Sequence, residues 1–320
     1  MYITPISLIN NTNKNNFLNF RSKSEGSIKT PSNLCDVFEK KNKEVINITY
    51  CGFEDKPEVI YYINNVLEKY LDLVKNVKLL PRHVILSDDS PNCDIELSTL
   101  ISDGTMPKKY KRLAGSLIVN DRYLNNLDNV IKENTLFLKD IQALKKDKSN
   151  NYSLIFFNKN KDIPKILYNL KRYEENSDSM SIIQKWELGD ALISIINRIN
   201  YASDNSRYDL LDDLYIQTPI KSILHELGHI YHNYLCSGFN SLGEQNKYNA
   251  GSMPIFVKDF ISDNEKQDIV KFVSHYSATS PSEFVAEVYS GLLLGEKYPD
   301  KIMKLYYFYH GPHVSKRLEL

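Results

Sequence analysis

The chain has 320 residues, 42% hydrophobic and 25% charged, which is enough to bury a core without metal to hold the fold. Lysine plus arginine equals aspartate plus glutamate at 40 each, so the neutral total leaves no electrostatic footprint for nucleic acid or an anionic membrane. No run of about 18 apolar residues predicts a membrane span. The four scattered cysteines (Cys35, Cys51, Cys93, Cys236) contain no C-x-x-C pair and form no disulfide framework.

The chain opens on an Asn/Ser-rich segment whose first 35 residues carry four bases (Lys14, Arg21, Lys23, Lys29) against one acid, Glu25. Such a segment buries too little apolar surface to fold alone. It also lacks the apolar core of a cleaved secretory signal. We therefore expect a flexible leader over 1–40. It resembles the uncleaved leader of a type III secreted effector, which implies export or injection into a host cell.

Ordered structure is expected from about residue 42. The β-branched run EVINITYC (44–51) predicts a strand. Asp55-Lys56-Pro57-Glu58 has the form of a helix start, and apolar positions from Val59 to Val74 keep the helical period to about Val77. HVILS (83–87), GSLIVN (115–120) and YSLIFF (152–157) are further strands, with helical patterns over 123–146 and 163–173. Residues 41–175 thus form an N-terminal α/β region. Residues 176–320 turn helical. Ile182, Trp186, Leu192, Ile195, Ile196 and Ile199 form the apolar stripe of a core helix, and 202–207 is a polar loop. Thr218-Pro219 and Ser280-Pro281 each supply an N-cap followed by a first-turn proline, Gly295 suits a helix C-terminus, and a last amphipathic segment covers 299–309.

The helix opened by Thr218-Pro219 contains ILHELGHIYH (223–232). Residues four apart share a helix face, so His225 and His229 can point both imidazoles at one ion. Glu226, beside that face, can take a proton from zinc-bound water and pass it to a leaving amine. Zinc lowers the pKa of such a water to about 7. The surrounding residues are apolar over much of the circumference, so the helix is buried, and burying two histidines and a glutamate without partners would cost several kcal/mol. Gly228, unfavourable in a helix interior by about 1 kcal/mol, suggests a close approach by another backbone or a substrate. His232 stands where H-E-x-x-H-x-x-G-x-x-H needs glycine, and Leu235 where it needs histidine. A third histidine ligand of that type is therefore not expected, and Met253 is not read as a Met-turn.

A hydrolytic zinc site keeps three protein ligands and one open position. Among the downstream acids, Glu283 and Glu287 stand four apart on an otherwise apolar helix. Two carboxylates there are explained by a metal ligand, Glu283, and a partner, Glu287, that accepts the N–H of a ligating imidazole. A capping box over Ser280–Glu283 explains Glu283 equally well. His275 is the other ligand candidate.

H-E-L-G-H followed by Tyr276 and then Glu283-Phe284-Val285-Ala286-Glu287 resembles the anthrax lethal factor catalytic domain family, which includes the secreted Pro-Pro endopeptidases. The likeness covers 218–292. It implies a zinc peptidase of the gluzincin type, with His225, His229 and Glu283 as zinc ligands and Glu226 as general base. It further implies that Tyr276 donates its hydroxyl to the oxyanion and that Glu287 supports from behind. The spacing from His229 to Glu283 is longer than that family's, implying an insertion over 236–270 that shapes the cleft.

The resulting expectation is an α+β, zincin-like fold. A mixed β-sheet with helices is joined to a helical lobe, with an active-site cleft between. The partner is a protein or peptide, an extended segment of a host protein added to a sheet edge, for which GSLIVN is the candidate strand. No nucleic acid or membrane span is expected, and the chain is expected to be a monomer. Two other functions fit the same residues. A different zinc hydrolase (an amidase or deacetylase) would show a closed pocket. A non-catalytic zincin scaffold would hold Glu226 and Tyr276 too far apart to face one zinc.

Overall fold

The computed structural model describes residues 42–45, 48–87, 97–100, 113, 115–146, 162–204, 216–236 and 263–319. The leader, the 152–157 segment and Met253 lie outside these residues.

The β-rich runs assemble into one five-stranded sheet of order β1-β2-β3-β5-β4, from β1 (Asn42–Val45), β2 (Ile48–Cys51), β3 (His83–Ser87), β4 (Leu97–Leu100) and β5 (Ser116–Asn120). β2, β3 and β5 run parallel in the middle, and among the described residues β1 and β4 are the antiparallel edges. Val84, Ile85 and Leu86 are consecutive and all buried, as expected where both faces of a parallel strand are covered. The single strand expected over 44–51 is in fact two, with Val45 opposite Ile48. Apolar alternation reads the same along one strand as along both arms of a hairpin, so periodicity does not register the reversal. β5 is flanked by β3 and β4. GSLIVN therefore has no free edge for an added strand, and that expectation is corrected. β4, which its short sequence LSTL did not reveal, is an edge among the described strands.

Helix α1 (Pro57–Val74) connects β2 to β3 and ends three residues earlier than its period suggests, where Lys75 turns left-handed at φ 52°. The helical pattern over 123–146 is split into α2 (Asp121–Asn125) and α3 (Leu127–Lys146). The Asn120 side chain caps α2 by accepting from the backbone N–H groups of Arg122 and Tyr123. Next come α4 (Ile163–Asn176) and α5 (Ile182–Asp204). The striped helix thus runs to Asp204, into the segment expected to be loop. The chain closes with α6 (Pro219–Cys236), α7 (Asp263–Phe272), α8 (Pro281–Leu293) and α9 (Asp300–Phe308). The whole is α+β and mostly helical. Among the described residues, no helix is long and apolar enough to cross a membrane.

Two apolar clusters hold these elements. One joins α3, α4 and α5 through Ile131, Ile166, Leu170, Leu192 and Ile195. The other joins the sheet and α1 to α6, α8 and α9, through residues such as Val84, Leu117, Ile63, Leu224, Phe284 and Tyr306. α6 and α8 lie directly against each other. Their approach explains Gly228: a Cβ there would stand 3.0 Å from the Ala286 Cα and 3.2 Å from the Tyr289 ring. The close neighbour foreshadowed by that glycine is therefore another backbone, that of α8.

Candidate metal centre

α6 begins as its sequence suggests. Thr218 Oγ1 accepts from the Lys221 N–H at 3.3 Å, and the Thr218 carbonyl from that of Ser222 at 3.0 Å. From Lys221 to Ile230 every residue is buried. His225 and His229, four apart, turn to the same side and meet the first turn of α8. There the His225 Nε2 lies 3.0 Å from Glu283 Oε2, the His229 Nε2 3.3 Å from the same oxygen, and the two Nε2 atoms 3.0 Å from each other.

The competing capping role of Glu283 is resolved by a division of labour. Ser280 Oγ accepts from the Glu283 backbone N–H at 3.2 Å, so serine caps α8. Meanwhile the Glu283 carboxylate extends to the two histidines instead.

Partners behind the imidazoles fix their orientation. Glu287 Oε1 lies 3.2 Å from His225 Nδ1, off the straight line of an ideal hydrogen bond, and Ser282 Oγ lies 3.0 Å from His229 Nδ1. Burial works against ionising Glu287, but the neighbouring Lys221 charge and the His225 contact hold its pKa down to about 2. An ionised carboxylate only accepts, so Glu287 favours a proton on His225 Nδ1, which leaves Nε2, the nitrogen facing Glu283, as the one at which a metal ion would take the place of a proton. Burial likewise opposes ionisation of Glu283, yet His229 and the hydrogen bonds from both histidines keep it far below the usual carboxylate range. Burial alone would lower the His225 pKa. Hydrogen bonds to Glu283 and Glu287 outweigh it and carry the pKa well above the usual value.

These directions express one fact about the donor set. Two imidazole nitrogens and a carboxylate oxygen aim at one point and call for positive charge there. A proton can bridge one pair of these atoms, whereas a divalent ion satisfies all three. Their spacing fits, since a tetrahedral ion with bonds near 2.0–2.1 Å holds its ligands about 3.3–3.4 Å apart. His225, His229 and Glu283 thus form a buried group that can hold a metal ion.

Two further expected residues stand at the same place. Glu226 is buried at 8% exposure. The Tyr276 ring lies 6.0 Å from that of His225. Its hydroxyl pKa is raised first by burial, then by the nearby carboxylates of Glu283 and Glu226, and by a hydrogen bond to Glu283. The phenol therefore keeps its proton and remains a donor. His275 is exposed and stacks on Tyr201 with ring centroids 5.0 Å apart, outside the ligand group. His232 is a satisfied core residue: its Nε2 lies 2.9 Å from the Tyr309 carbonyl, with which it hydrogen-bonds as donor. Burial pushes its pKa down to about 3.

Sequence reading missed Ser282 and Lys221. Ser282 sits inside a capping sequence that already accounts for a serine. Lys221 did carry a signal, as a lone lysine one turn before His225 on the face that also carries His229. No family model, no curated protein and no solved structure matches the chain, so the centre is read from its own geometry.

Proposed function

We propose that the chain is a zinc endopeptidase of the gluzincin type, with a zincin-like fold and a resemblance to the anthrax lethal factor catalytic domain. It would be secreted or injected and act on a host protein. The observation that carries this reading is the convergence of His225, His229 and Glu283 on one point, within reach of Glu226 and Tyr276. Two imidazoles and a carboxylate are the ligand set of catalytic zinc, which leaves one coordination position open. When bound, zinc at such a site supplies Lewis acidity, polarising the scissile carbonyl and acidifying water.

The remaining work falls to side chains. Glu226 takes a proton from water as its oxygen bonds to the carbonyl carbon. It then delivers that proton to the amide nitrogen as the C–N bond breaks. The Tyr276 hydroxyl donates to the oxygen that gains negative charge. Glu287 and Ser282 hold the imidazole rings in place. The carboxylates of Glu283 and Glu226 both act on the Tyr276 hydroxyl, a proximity that favours catalysis over a non-catalytic scaffold. β4, which lies against α6 and is an edge among the described strands, is the strand to which an extended substrate would add.

The test is labelling of new N-termini in host lysate treated with wild type or with Glu226→Gln. Cleavages made by wild type and absent with the variant support the reading. Equal cleavage by both would defeat it.

A further inference from the structure

Lys221 is 1% exposed, a rare setting for a lysine. It stands on α6 one turn before His225. Its Nζ lies 3.4 Å from Glu287 Oε2 and 3.7 Å from Glu296 Oε1. The other Glu287 oxygen, Oε1, is the one that faces His225 Nδ1 at 3.2 Å. One carboxylate therefore spans the lysine and the metal-directed imidazole. Behind the lysine, Glu296 Oε2 accepts from the Tyr298 hydroxyl at 2.6 Å. That pair rests on Gly291, where any Cβ would collide with both side chains.

A chain of contacts thus runs from Tyr298 through Glu296, Lys221 and Glu287 to His225. Burying an ammonium and a carboxylate costs several kcal/mol per ion before their mutual attraction is counted. An apolar pair would hold α6 on α8 without that desolvation. What the apolar pair could not do is set the orientation of the Glu287 carboxylate.

We propose that Lys221 is a positioning residue of the metal centre. Its charge, itself held by Glu296, anchors Glu287 Oε2 so that Oε1 fixes the ring plane and Nδ1 proton of His225. The inference rests on the reading of His225, His229 and Glu283 as metal ligands.

The test is a thermodynamic cycle on the full chain, measuring zinc affinity by competition with a chromophoric chelator. The proteins are wild type, Lys221→Met, Glu287→Gln and the double variant. Lys221→Met and Glu287→Gln are each expected to weaken zinc binding by about 10–100-fold. Because one residue acts through the other, the double variant should stay within about threefold of the weaker single. A Lys221→Met affinity equal to wild type, or losses that multiply in the double variant, overturns the proposal. If Lys221→Met leaves the buried carboxylate unpaired and the protein unfolded, the double variant removes both charges. It should then match Glu287→Gln within about threefold, and a further tenfold loss overturns the proposal. A wild-type chain that takes up no zinc overturns the metal reading, and the proposal with it. Failure of the cycle in a chain that binds zinc overturns the proposal alone.

Discussion

The two helices that build the centre do so differently. α6 contributes His225, Glu226 and His229 from the middle of a fully buried stretch, whereas α8 contributes Glu283 from its first, half-buried turn. In mid-helix the backbone is satisfied internally, so polar side chains there answer only to what they face. At a helix start, side chains also serve the unpaired N–H groups, and a single glutamate can be claimed by either demand. α8 meets both by giving the cap to Ser280 and the metal-directed role to Glu283. A ligand at a helix end is therefore harder to recognise than one in its interior, although the finished geometry is equally definite.

That contrast can be broken or sharpened by substitution. The largest effect is expected on the α6 side. Glu226→Gln should lower kcat/KM by about 10⁴-fold, the upper end for proton transfer, because in the proposed mechanism one carboxylate handles both transfers. Zinc content, checked by elemental analysis, should be unchanged. Tyr276→Phe should lower kcat by about 10²-fold, as for loss of one oxyanion donor, with substrate binding retained. Gly228→Ala tests the helix contact. Its added methyl meets the Ala286 backbone, and chemical denaturation should show a loss of about 1–3 kcal/mol.

Division of labour on α8 is tested by comparing Ser280→Ala with Glu283→Gln. The first should cost about 1 kcal/mol of stability and leave zinc affinity alone. The second should do the reverse, and equal effects on both readouts would undo the distinction.

The smallest effect is expected from pH at the far end of α6, where buried His232 has its folded pKa lowered to about 3. Its contribution to stability is fully present above the unfolded value near 6.5 and declines as pH falls through the window between the two. Denaturation midpoints at pH 7 and 6 should drop more for wild type than for His232→Gln.

How much could be read beforehand follows the same division. His225 and His229 were legible because a four-residue spacing fixes a shared face and burial demands a partner. That no third histidine ligand of the longer pattern follows was legible from His232 and Leu235 standing where that pattern needs glycine and histidine. The choice between cap and ligand for Glu283 was not, since Ser280 and Glu283 satisfy both patterns locally and only the packing of α8 on α6 decides. β4 escaped notice because LSTL is too short and polar for a periodic signal, and an edge strand is defined by its neighbour. GSLIVN was misassigned as an edge for the same reason: its residues mark it as a strand, but strand order is set by pairing far along the chain. Lys221 was passed over among apolar residues, although a buried charge on a helix is itself a sign of a partner.

The most direct measurement is calorimetric titration of zinc into the metal-stripped chain, for wild type and for Glu283→Ala. One ion per chain is expected for wild type. The variant should bind more than about 100-fold more weakly, beyond the range for loss of an outer partner. A wild type that takes up no stoichiometric zinc, or a Glu283→Ala chain that binds it equally well, would contradict a centre built from His225, His229 and Glu283.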